Sequence, residues 1–342
     1  MLGKLGLMRT RMADVARAAQ VSTATVSRAL RDDPAISSHT RAAGLAAAEA
    51  LGYSAPRREG RAVTASIPRV AVLMPYVGRW YFAHVLQSIE RILSDHGIET
   101  VVRRPFDAKG QRIGFDPDWL ASGIRGIIAV SAPTPDDDIR AAEAAGVPVV
   151  LIGIAHAELA TVRIDDVEAG RLATQHLIDL GHRRIAVVGE GPSEDWRGSA
   201  THDRRTGFAH ALHAAGIEWD RRLDVHSDFT VRGAARAAGA LWDMPERPTA
   251  VLALSDEMAF GVLGSAQAAG ISVPDELSVI GIDDHDATAV LGLTTVAQPV
   301  ETLGELAALQ LARHLVSGVE PERRQLLLPV ELIVRGSTAP LR

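Results

Sequence analysis

The stretch from Met12 to Leu30, MADVARAAQVSTATVSRAL, decides the fold of the first part of this 342-residue chain. Its first half places apolar residues at the i, i+3, i+4 and i+7 positions of one helical face: Met12, Val15, Ala16 and Ala19. A turn at Gln20-Val21 follows, after which Ser22 can accept the unpaired N–H groups that begin a second helix. The stretch therefore predicts two short helices separated by a tight turn.

The second helix combines an apolar stripe with a polar face that carries no carboxylate. The stripe consists of Val26, Ala29 and Leu30. The free face carries short side chains and two guanidinium groups: Ser22, Thr23, Ala24, Thr25, Ser27, Arg28 and Arg31. A third helix is predicted from about Ser38 to Leu51, with Ser37 as its cap. Three such helices make a small all-α helix-turn-helix head, although the same spacing also occurs in helical bundles that do not bind DNA.

Three segments of this head resemble one known family of proteins. They are DVARAAQVSTATVSRAL at 14–30, ISSHTR at 36–41 and LGY at 51–53. They are similar to the head of the LacI/GalR (lactose/galactose repressor) family of bacterial transcription regulators. The resemblance implies a homodimer that binds a pseudo-palindromic operator in double-stranded DNA. We expect base reading by Thr23, Ala24 and Arg28. We expect contacts to the DNA backbone from Ser22, Thr25, Ser27, Arg31 and Thr40.

The head departs from the family at two positions. Gln20 stands where the family usually has glycine at the turn, and Gly44 stands where it usually has a branched apolar residue. Either change is expected to loosen the head, because the turn loses its most permissive residue or a helix gains one.

Length and charge favour a regulator with a small head and a larger sensor. A chain of 342 residues exceeds what one hydrophobic core usually supports. Residues 1–62 contain ten Lys or Arg against five Asp or Glu, so the rest of the chain carries a net charge of −11 within the overall −6. Phosphates attract the positive part and repel the acidic part. We therefore predict that only the head touches DNA.

The composition also predicts the compartment. The chain contains no cysteine, which excludes disulfide and thiolate chemistry and is consistent with a reducing cytoplasm. The apolar run in MLGKLGLMRTRMADV is too short for a signal peptide, and no later segment approaches the length of a membrane span. We therefore expect a cytoplasmic protein that does not bind a membrane.

Residues 54–68 are predicted to be a hinge or linker between a head at 1–53 and a sensor at 69–342. The segment SAPRREGRAVTAS is polar, rich in arginine and interrupted by proline and glycine. In the family this stretch forms a hinge helix whose leucine enters the minor groove and kinks the duplex. The minor-groove residues implied here are Arg58, Arg61 and Ala62. Because alanine is a smaller wedge than leucine, a solvated basic linker is the alternative interpretation.

From Arg69 onward, short apolar runs alternate with amphipathic helical stretches. RVAVLMP, IRGIIAV and VPVVLIG form one series, and RRIAVVG, TAVLALS and LSVIGIDD form a second. The alternation predicts parallel sheets with helices on both faces, in two Rossmann-like α/β lobes. It resembles the periplasmic-binding-protein type I fold that the family uses as its sensor. We assign lobe 1 to about 69–164 and 297–325, and lobe 2 to about 165–296 and 326–338.

A small ligand is expected in the cleft between the lobes, where strand ends converge. The expected effector-binding residues, several of them implied by the family resemblance, are Phe82, Asp165, Arg204, Phe229, Ser255 and Asp283. Asp165 has an alternative role as a helix cap, and Arg205 leaves the Arg204 assignment open by one residue. The family more often has asparagine at the position of Ser255. Paired arginine and aspartate with flanking rings suit a sugar better than a nucleobase.

Motifs of common enzyme classes are missing from the sequence. It contains no GxGxxG, GxxxxGK[ST], GxSxG or HExxH, so we expect neither catalytic residues nor a cofactor, and the scattered histidines predict no metal site. We therefore predict an allosteric repressor of carbohydrate-utilisation genes. The alternatives are a sugar- or nucleoside-binding sensor with weak or no specific DNA binding, a solute-binding protein of the same fold, and a sugar-processing α/β enzyme.

Overall fold

The computed structural model describes residues 12–23, 25–26, 38–50, 67–107, 111–115, 117–191 and 199–342. The chain divides into two compact units, Met1–Ser66 and Ile67–Arg342, and the boundary between them falls within the predicted hinge. Within the described ranges, no helix is both long enough and apolar enough to cross a membrane.

The described part of the smaller unit contains two helices, α1 (Met12–Ala18) and α2 (Ser38–Ala50). Residues 23 and 25–26 between them are also helical. The apolar core of this unit consists of Val15, Ala16, Val26 and Ala48, with Val21 and Ala47 packed against it. Of the predicted apolar faces, Val15 and Ala16 of the first helix and Val26 of the second are buried and Ala19 is partly buried, whereas the side chain of Met12 and residues Ala29 and Leu30 lie outside the description.

The turn between the first two helices combines a helix cap with a strained residue. The Ser22 hydroxyl accepts a hydrogen bond from the backbone N–H of Thr25 at 3.0 Å, as the sequence predicts. Gln20 adopts a φ of +55°, in the left-handed region that favours glycine. This conformation costs a residue with a Cβ atom about 1–2 kcal/mol. The departure from the family glycine therefore places strain in the turn.

The larger unit contains two sheets, one in each lobe. Its strands are β1 (Arg69–Leu73), β2 (Glu99–Arg103), β3 (Ile124–Val130), β4 (Val149–Ile152), β5 (Ala160–Ile164), β6 (Ile185–Glu190), β7 (Asp224–Ser227), β8 (Ala250–Ala253), β9 (Ser278–Asp283), β10 (Thr294–Ala297), β11 (Gln325–Leu328) and β12 (Glu331–Ile333). Its helices are α3 (Trp80–Asp95), α4 (Pro117–Ala121), α5 (Asp136–Ala144), α6 (Asp166–Asp179), α7 (Ala200–Ala214), α8 (Val231–Trp242), α9 (Asp256–Ala268), α10 (Ala287–Leu291) and α11 (Val300–Ser317).

Both sheets are built almost entirely from parallel strands. The strand order is β11-β5-β4-β3-β1-β2 in lobe 1 and β12-β10-β9-β8-β6-β7 in lobe 2. Among the described strands, β12 is antiparallel to its neighbour β10. Strands β8 and β9 are buried along their whole length, because parallel sheets of this kind are covered by helices on both faces. The two predicted Rossmann-like lobes are confirmed.

The chain passes between the lobes three times, after β5, after β10 and after β11. The last passage differs from the prediction, which assigned residues from 326 onward to lobe 2. Strand β11 pairs in parallel with β5 as far as Leu328, opposite Ile164, so residues 326–328 belong to lobe 1. The apolar run of this region continues through both edge strands, and the sequence pattern alone does not mark where it changes sheet.

Helices α6 and α7 of lobe 2 cross at glycines. A Cβ atom on Gly207 would lie 1.9 Å from the carbonyl oxygen of Val167, and one on Gly170 would lie 2.0 Å from that of Arg204. Neither position has room for a methyl group. This close approach fixes α7, and with it the Arg204 side chain, against the start of α6.

We expect Gly207→Ala to lower the free energy of unfolding by about 1–3 kcal/mol, because the helices must separate to admit the methyl group. Gly239→Ala is the matched control, since Gly239 lies on α8 with no atom within 4 Å of the added Cβ. There alanine should raise stability by about 0.5–1 kcal/mol through its better helix propensity. Urea unfolding of both variants measures the difference. Equal effects of the two substitutions would contradict the close crossing.

Candidate functional site

A cavity lies between the two lobes, where strand ends of both sheets meet. Tyr76 follows β1 of lobe 1, and Asp283 is the last residue of β9 in lobe 2. Helices contribute Phe82 from α3 and Arg204 from α7. Because carboxyl ends of parallel strands lie at one edge of each sheet, the fold brings polar groups from distant parts of the chain into one cleft.

One buried guanidinium faces two buried carboxylates on the lobe 2 side of the cavity. Arg204 donates from Nε to Asp166 Oδ1 at 2.8 Å, and from Nη1 to Asp283 Oδ1 at 3.3 Å. The same Nη1 donates to the carbonyl oxygen of Leu254 at 2.6 Å. All three charged side chains are at most 9% exposed. The pairing offsets part of the desolvation cost of each charge.

Asp283 is held in an unusual backbone conformation. Its φ is +135° and that of the following Asp284 is +62°, both in the region that favours glycine. Gln298, at the passage after β10, donates from Nε2 to Asp283 Oδ1 at 2.6 Å. Strain of this kind costs about 1–3 kcal/mol per residue and persists where the surrounding structure determines the conformation. In this conformation the Asp283 carboxylate contacts Arg204 and lines the cavity.

Burial shifts the titration of the carboxyl groups in and behind the cavity. Burial raises the pKa of Asp166 and of Asp283 above the ordinary value, although Arg204 acts in the opposite direction on both. Burial, followed by the Asp283 charge, also raises the pKa of Asp256. Asp256 accepts hydrogen bonds from the Thr295 hydroxyl at 2.7 Å and from the backbone N–H of His285 at 2.8 Å. The cluster therefore favours a ligand that donates hydrogen bonds to these carboxylates.

Aromatic rings from both lobes border the cavity. On the lobe 1 side, Phe82 meets Tyr76 edge-on at 5.6 Å and Tyr81 at 5.2 Å between ring centroids. Phe229 comes from lobe 2. The guanidinium carbon of Arg79 lies 3.8 Å from the centroid of the Tyr76 ring and 5.0 Å from that of Phe229. The cavity is therefore lined both by the buried charged cluster and by aromatic rings from the two lobes.

The structure brings four of the six predicted effector residues to the cavity: Phe82, Arg204, Phe229 and Asp283. The other two, Asp165 and Ser255, cap helices. Asp165 Oδ1 accepts from the Glu168 N–H at 3.0 Å, and the Ser255 hydroxyl accepts from the Met258 N–H at 3.3 Å.

The carboxylate that lines the cavity is Asp166, the neighbour of the predicted Asp165. Asp165 precedes α6 and is exposed, whereas Asp166 is the first residue of that helix and points into the cleft. Both residues are aspartates at the start of a helix. The packing of α6 on α7 determines which of them faces the cleft.

Several cavity residues were not predicted from the sequence. Tyr76 and Glu190 lie at strand ends, so the strand-end rule applied to every strand would have found them. Gln298 follows the end of β10, so the same rule would have found it, whereas Arg79 gave no such signal because its partners lie about 150 residues away. Arg205 beside Arg204 is structural, since it donates to Asp224 Oδ1 at 3.0 Å and to the Glu190 carbonyl oxygen at 2.9 Å.

The predicted DNA-contacting residues fall partly outside the described residues. Ser22 and Thr23 are exposed, and Thr25 and Thr40 are partly buried. The positions that lie outside the described residues are Ala24, Ser27, Arg28, Arg31, Ser37, Arg58, Arg61 and Ala62. Among the described residues, no group of three or more His, Asp or Glu is arranged to hold a metal ion.

The chain thus combines a small helical unit that has a capped turn with a two-lobed α/β unit that has a polar cavity in its cleft, the two parts expected of a DNA-binding regulator with a ligand sensor. Residues 11–55 match the family model described as bacterial regulatory proteins, lacI family, and residues 174–338 match that of a periplasmic binding protein-like domain. The chain belongs to the lacI family of bacterial regulatory proteins.

Known proteins align with nearly the whole chain. The HTH-type transcriptional repressor CytR of Escherichia coli K12 is 34% identical over 341 residues, which cover 96% of each chain. A LacI family regulator from Enterococcus faecium with bound ribose has a TM-score of 0.70 and 30% identity, and covers 80% of this chain and 100% of its own. The lac repressor dimer bound to operator and an anti-inducer has a TM-score of 0.67 and 25% identity, covering 97% of this chain and 100% of its own.

We expect Arg204→Met to lower the free energy of unfolding by about 3–5 kcal/mol, because it leaves Asp166 and Asp283 buried without a counter-charge. Arg69→Met is the matched control, since it breaks a half-exposed ion pair with Glu99 on the surface of lobe 1. Exposed pairs contribute about 0–1 kcal/mol. Urea unfolding by circular dichroism compares the variants. A loss no larger for Arg204→Met than for Arg69→Met would contradict the buried cluster.

Asp256→Asn should become more stable relative to the parent protein as the pH rises from about 4 to about 8. The pKa of Asp256 is raised in the folded state, so above its ordinary value of 3.8 the unfolded chain loses the proton first. The parent therefore loses stability over this window, whereas asparagine does not titrate. Unfolding midpoints measured across the pH range test this. Parallel pH profiles would show that Asp256 titrates normally.

Proposed function

We propose that this protein represses carbohydrate-utilisation genes by binding a pseudo-palindromic operator as a homodimer, and that a small sugar in the cleft sets its operator affinity. The observation that carries the ligand proposal is the Arg204 guanidinium between Asp166 and Asp283. Guanidinium and carboxylate groups together donate to and accept from vicinal hydroxyls. The Phe82 and Phe229 rings, which also line the cavity, suit the apolar face of a sugar.

A nucleoside is the second candidate for the effector. The guanidinium carbon of Arg79 lies 3.8 Å from the Tyr76 centroid and 5.0 Å from the Phe229 centroid, so a nucleobase would stack on these rings by displacing Arg79. The ribose complex of the Enterococcus faecium regulator supports a pentose as part of the ligand. Both candidates place hydroxyl groups against the same carboxylates.

On the DNA side, Thr23, Ala24 and Arg28 are proposed to read bases, and Ser22 with its neighbours to contact the backbone. Thr23 is exposed on the second helix, immediately after the capping residue Ser22. The Arg58, Arg61 and Ala62 segment is proposed to follow the minor groove. Because such a regulator acts on chromosomal DNA, we propose that the protein is cytoplasmic. We propose no catalytic activity for it.

We expect DNase footprinting of the purified protein on fragments of its source genome to reveal a symmetric site. Two half-sites about 10 base pairs apart should be protected, since a dimer presents its recognition helices one turn apart. Arg28→Ala should weaken binding by about 1–3 kcal/mol and relax preference at one base pair per half-site. Arg140→Ala, a change on exposed helix α5 of the sensor, is the matched control.

The effect of ligands on binding to the same operator tests the proposed sensor. Addition of sugars and nucleosides should change operator affinity in the parent protein, and the operator should change ligand affinity by the same factor. Uniformly weak binding with a steep salt dependence and no preferred site would contradict operator recognition. A preferred site that responds to neither ligand class would contradict the effector proposal alone.

A further inference from the structure

The start of helix α3 makes contacts across the mouth of the cleft. Arg79, the residue that caps α3 in lobe 1, reaches the loop between β7 and α8 in lobe 2. It donates from Nη1 to the carbonyl oxygen of Phe229 and from Nη2 to that of Asp228 at 3.4 Å. These hydrogen bonds join two carbonyl groups of one lobe to a single side chain of the other.

The same guanidinium is stacked between rings of the two lobes. Its central carbon lies 3.8 Å from the Tyr76 centroid on its own lobe and 5.0 Å from the Phe229 centroid on the other. Phe229 adopts a φ of +56°, a conformation that sets the direction of both its ring and its carbonyl oxygen. Rotation of one lobe away from the other would separate Arg79 from both contacts at once.

A second contact begins at the next residue, Trp80. Its indole ring stacks on His285 with centroids 4.9 Å apart and planes inclined by 27°, and its Nε1 donates to Asp286 Oδ2 at 3.1 Å. His285 and Asp286 lie in the loop between β9 and α10 of lobe 2. His84, one turn further along α3, lies 4.4 Å from the Trp80 ring and 3.5 Å from the Asp286 carboxylate.

The lobe 2 side of this second contact is firmly supported. The His285 ring packs edge-on against Phe260 of α9 at 5.1 Å, and its backbone N–H donates to Asp256. Both contacts therefore join the start of a 16-residue helix in lobe 1 to loops of lobe 2, and the loop of His285 is anchored by Phe260 and Asp256. Since Arg79 and Trp80 are consecutive, the contacts form and break together.

We propose that Arg79 and Trp80 form an interlobe latch that holds the cleft closed through protein contacts alone, so that opening of the latch controls access of any ligand to the cavity. The three chain passages link the lobes covalently, and the latch adds a link that can be released. Arg91 provides the contrast: it lies on the same helix but pairs with Glu305 of α11, within lobe 1. Opening of the cleft leaves that pair intact.

The absence of cysteine from the sequence makes the latch directly measurable. Cysteines introduced at exposed Gln87 on α3 and Arg232 on α8 accept spin labels, one on each lobe. Double electron–electron resonance on the full-length protein without added ligand, with the labelled chain diluted in an excess of unlabelled protein to leave the distance within one chain, should give one narrow distance distribution. Arg79→Met and Trp80→Ala should each broaden and displace it, whereas Arg91→Met should reproduce the parent distribution.

Hydrogen exchange provides a second readout on unlabelled protein. Peptides that cover residues 227–231 and 283–288 should exchange at least about tenfold faster in Arg79→Met than in Arg91→Met, because opening exposes those loops. Trp80→Phe, which keeps the stacking and removes the indole donor, should lie between parent and Trp80→Ala. If Arg79→Met and Trp80→Ala keep the parent distances and exchange rates, or if Arg91→Met changes them equally, the latch is refuted.

Discussion

The sensor depends on the burial of Arg204 between Asp166 and Asp283. An unpaired charge in this position would cost several kcal/mol, so the three side chains require one another. They come from three different parts of the fold: the start of α6, the middle of α7 and the end of β9. The charged cluster therefore fixes where those elements must meet, and it leaves carboxylate oxygens at the edge of a cleft where a polyhydroxyl ligand can use them.

Backbone features and a neighbouring side chain help to hold Arg204, Asp166 and Asp283 together. The glycines at the crossing of α6 and α7 let the helix backbones approach closely enough for Arg204 to reach Asp166. The strained backbone at Asp283, together with Gln298, turns the second carboxylate toward the same guanidinium. Lobe 1 lines the cavity with the Tyr76, Tyr81 and Phe82 rings and with one charged side chain, that of Arg79. The two lobes thus offer different chemistry to one ligand.

Much of the fold could be predicted because strand and helix periods are local properties of the sequence. Four of the six expected effector residues reach the cavity: Asp283 is marked by its strand end, whereas Phe82, Arg204 and Phe229 were implied by the family resemblance. Asp165 was chosen over Asp166 because adjacent aspartates at a helix start are equivalent in pattern and differ only in packing. Arg79 could not be found, because its partners are Asp228 and Phe229, about 150 residues away, and nothing local marks the pair.

The threading of the chain through both lobes has a consequence for biosynthesis. Helix α11 and strand β11 belong to lobe 1, yet they follow nearly all of lobe 2 in the chain. Strand β5 therefore pairs with strand β11, which is synthesised about 160 residues later. Such long-range pairing makes folding slow and leaves an apolar edge exposed during synthesis. Lobe 1 is the first lobe to be translated, yet its sheet gains its last strand only after β6 to β10 of lobe 2 have been synthesised.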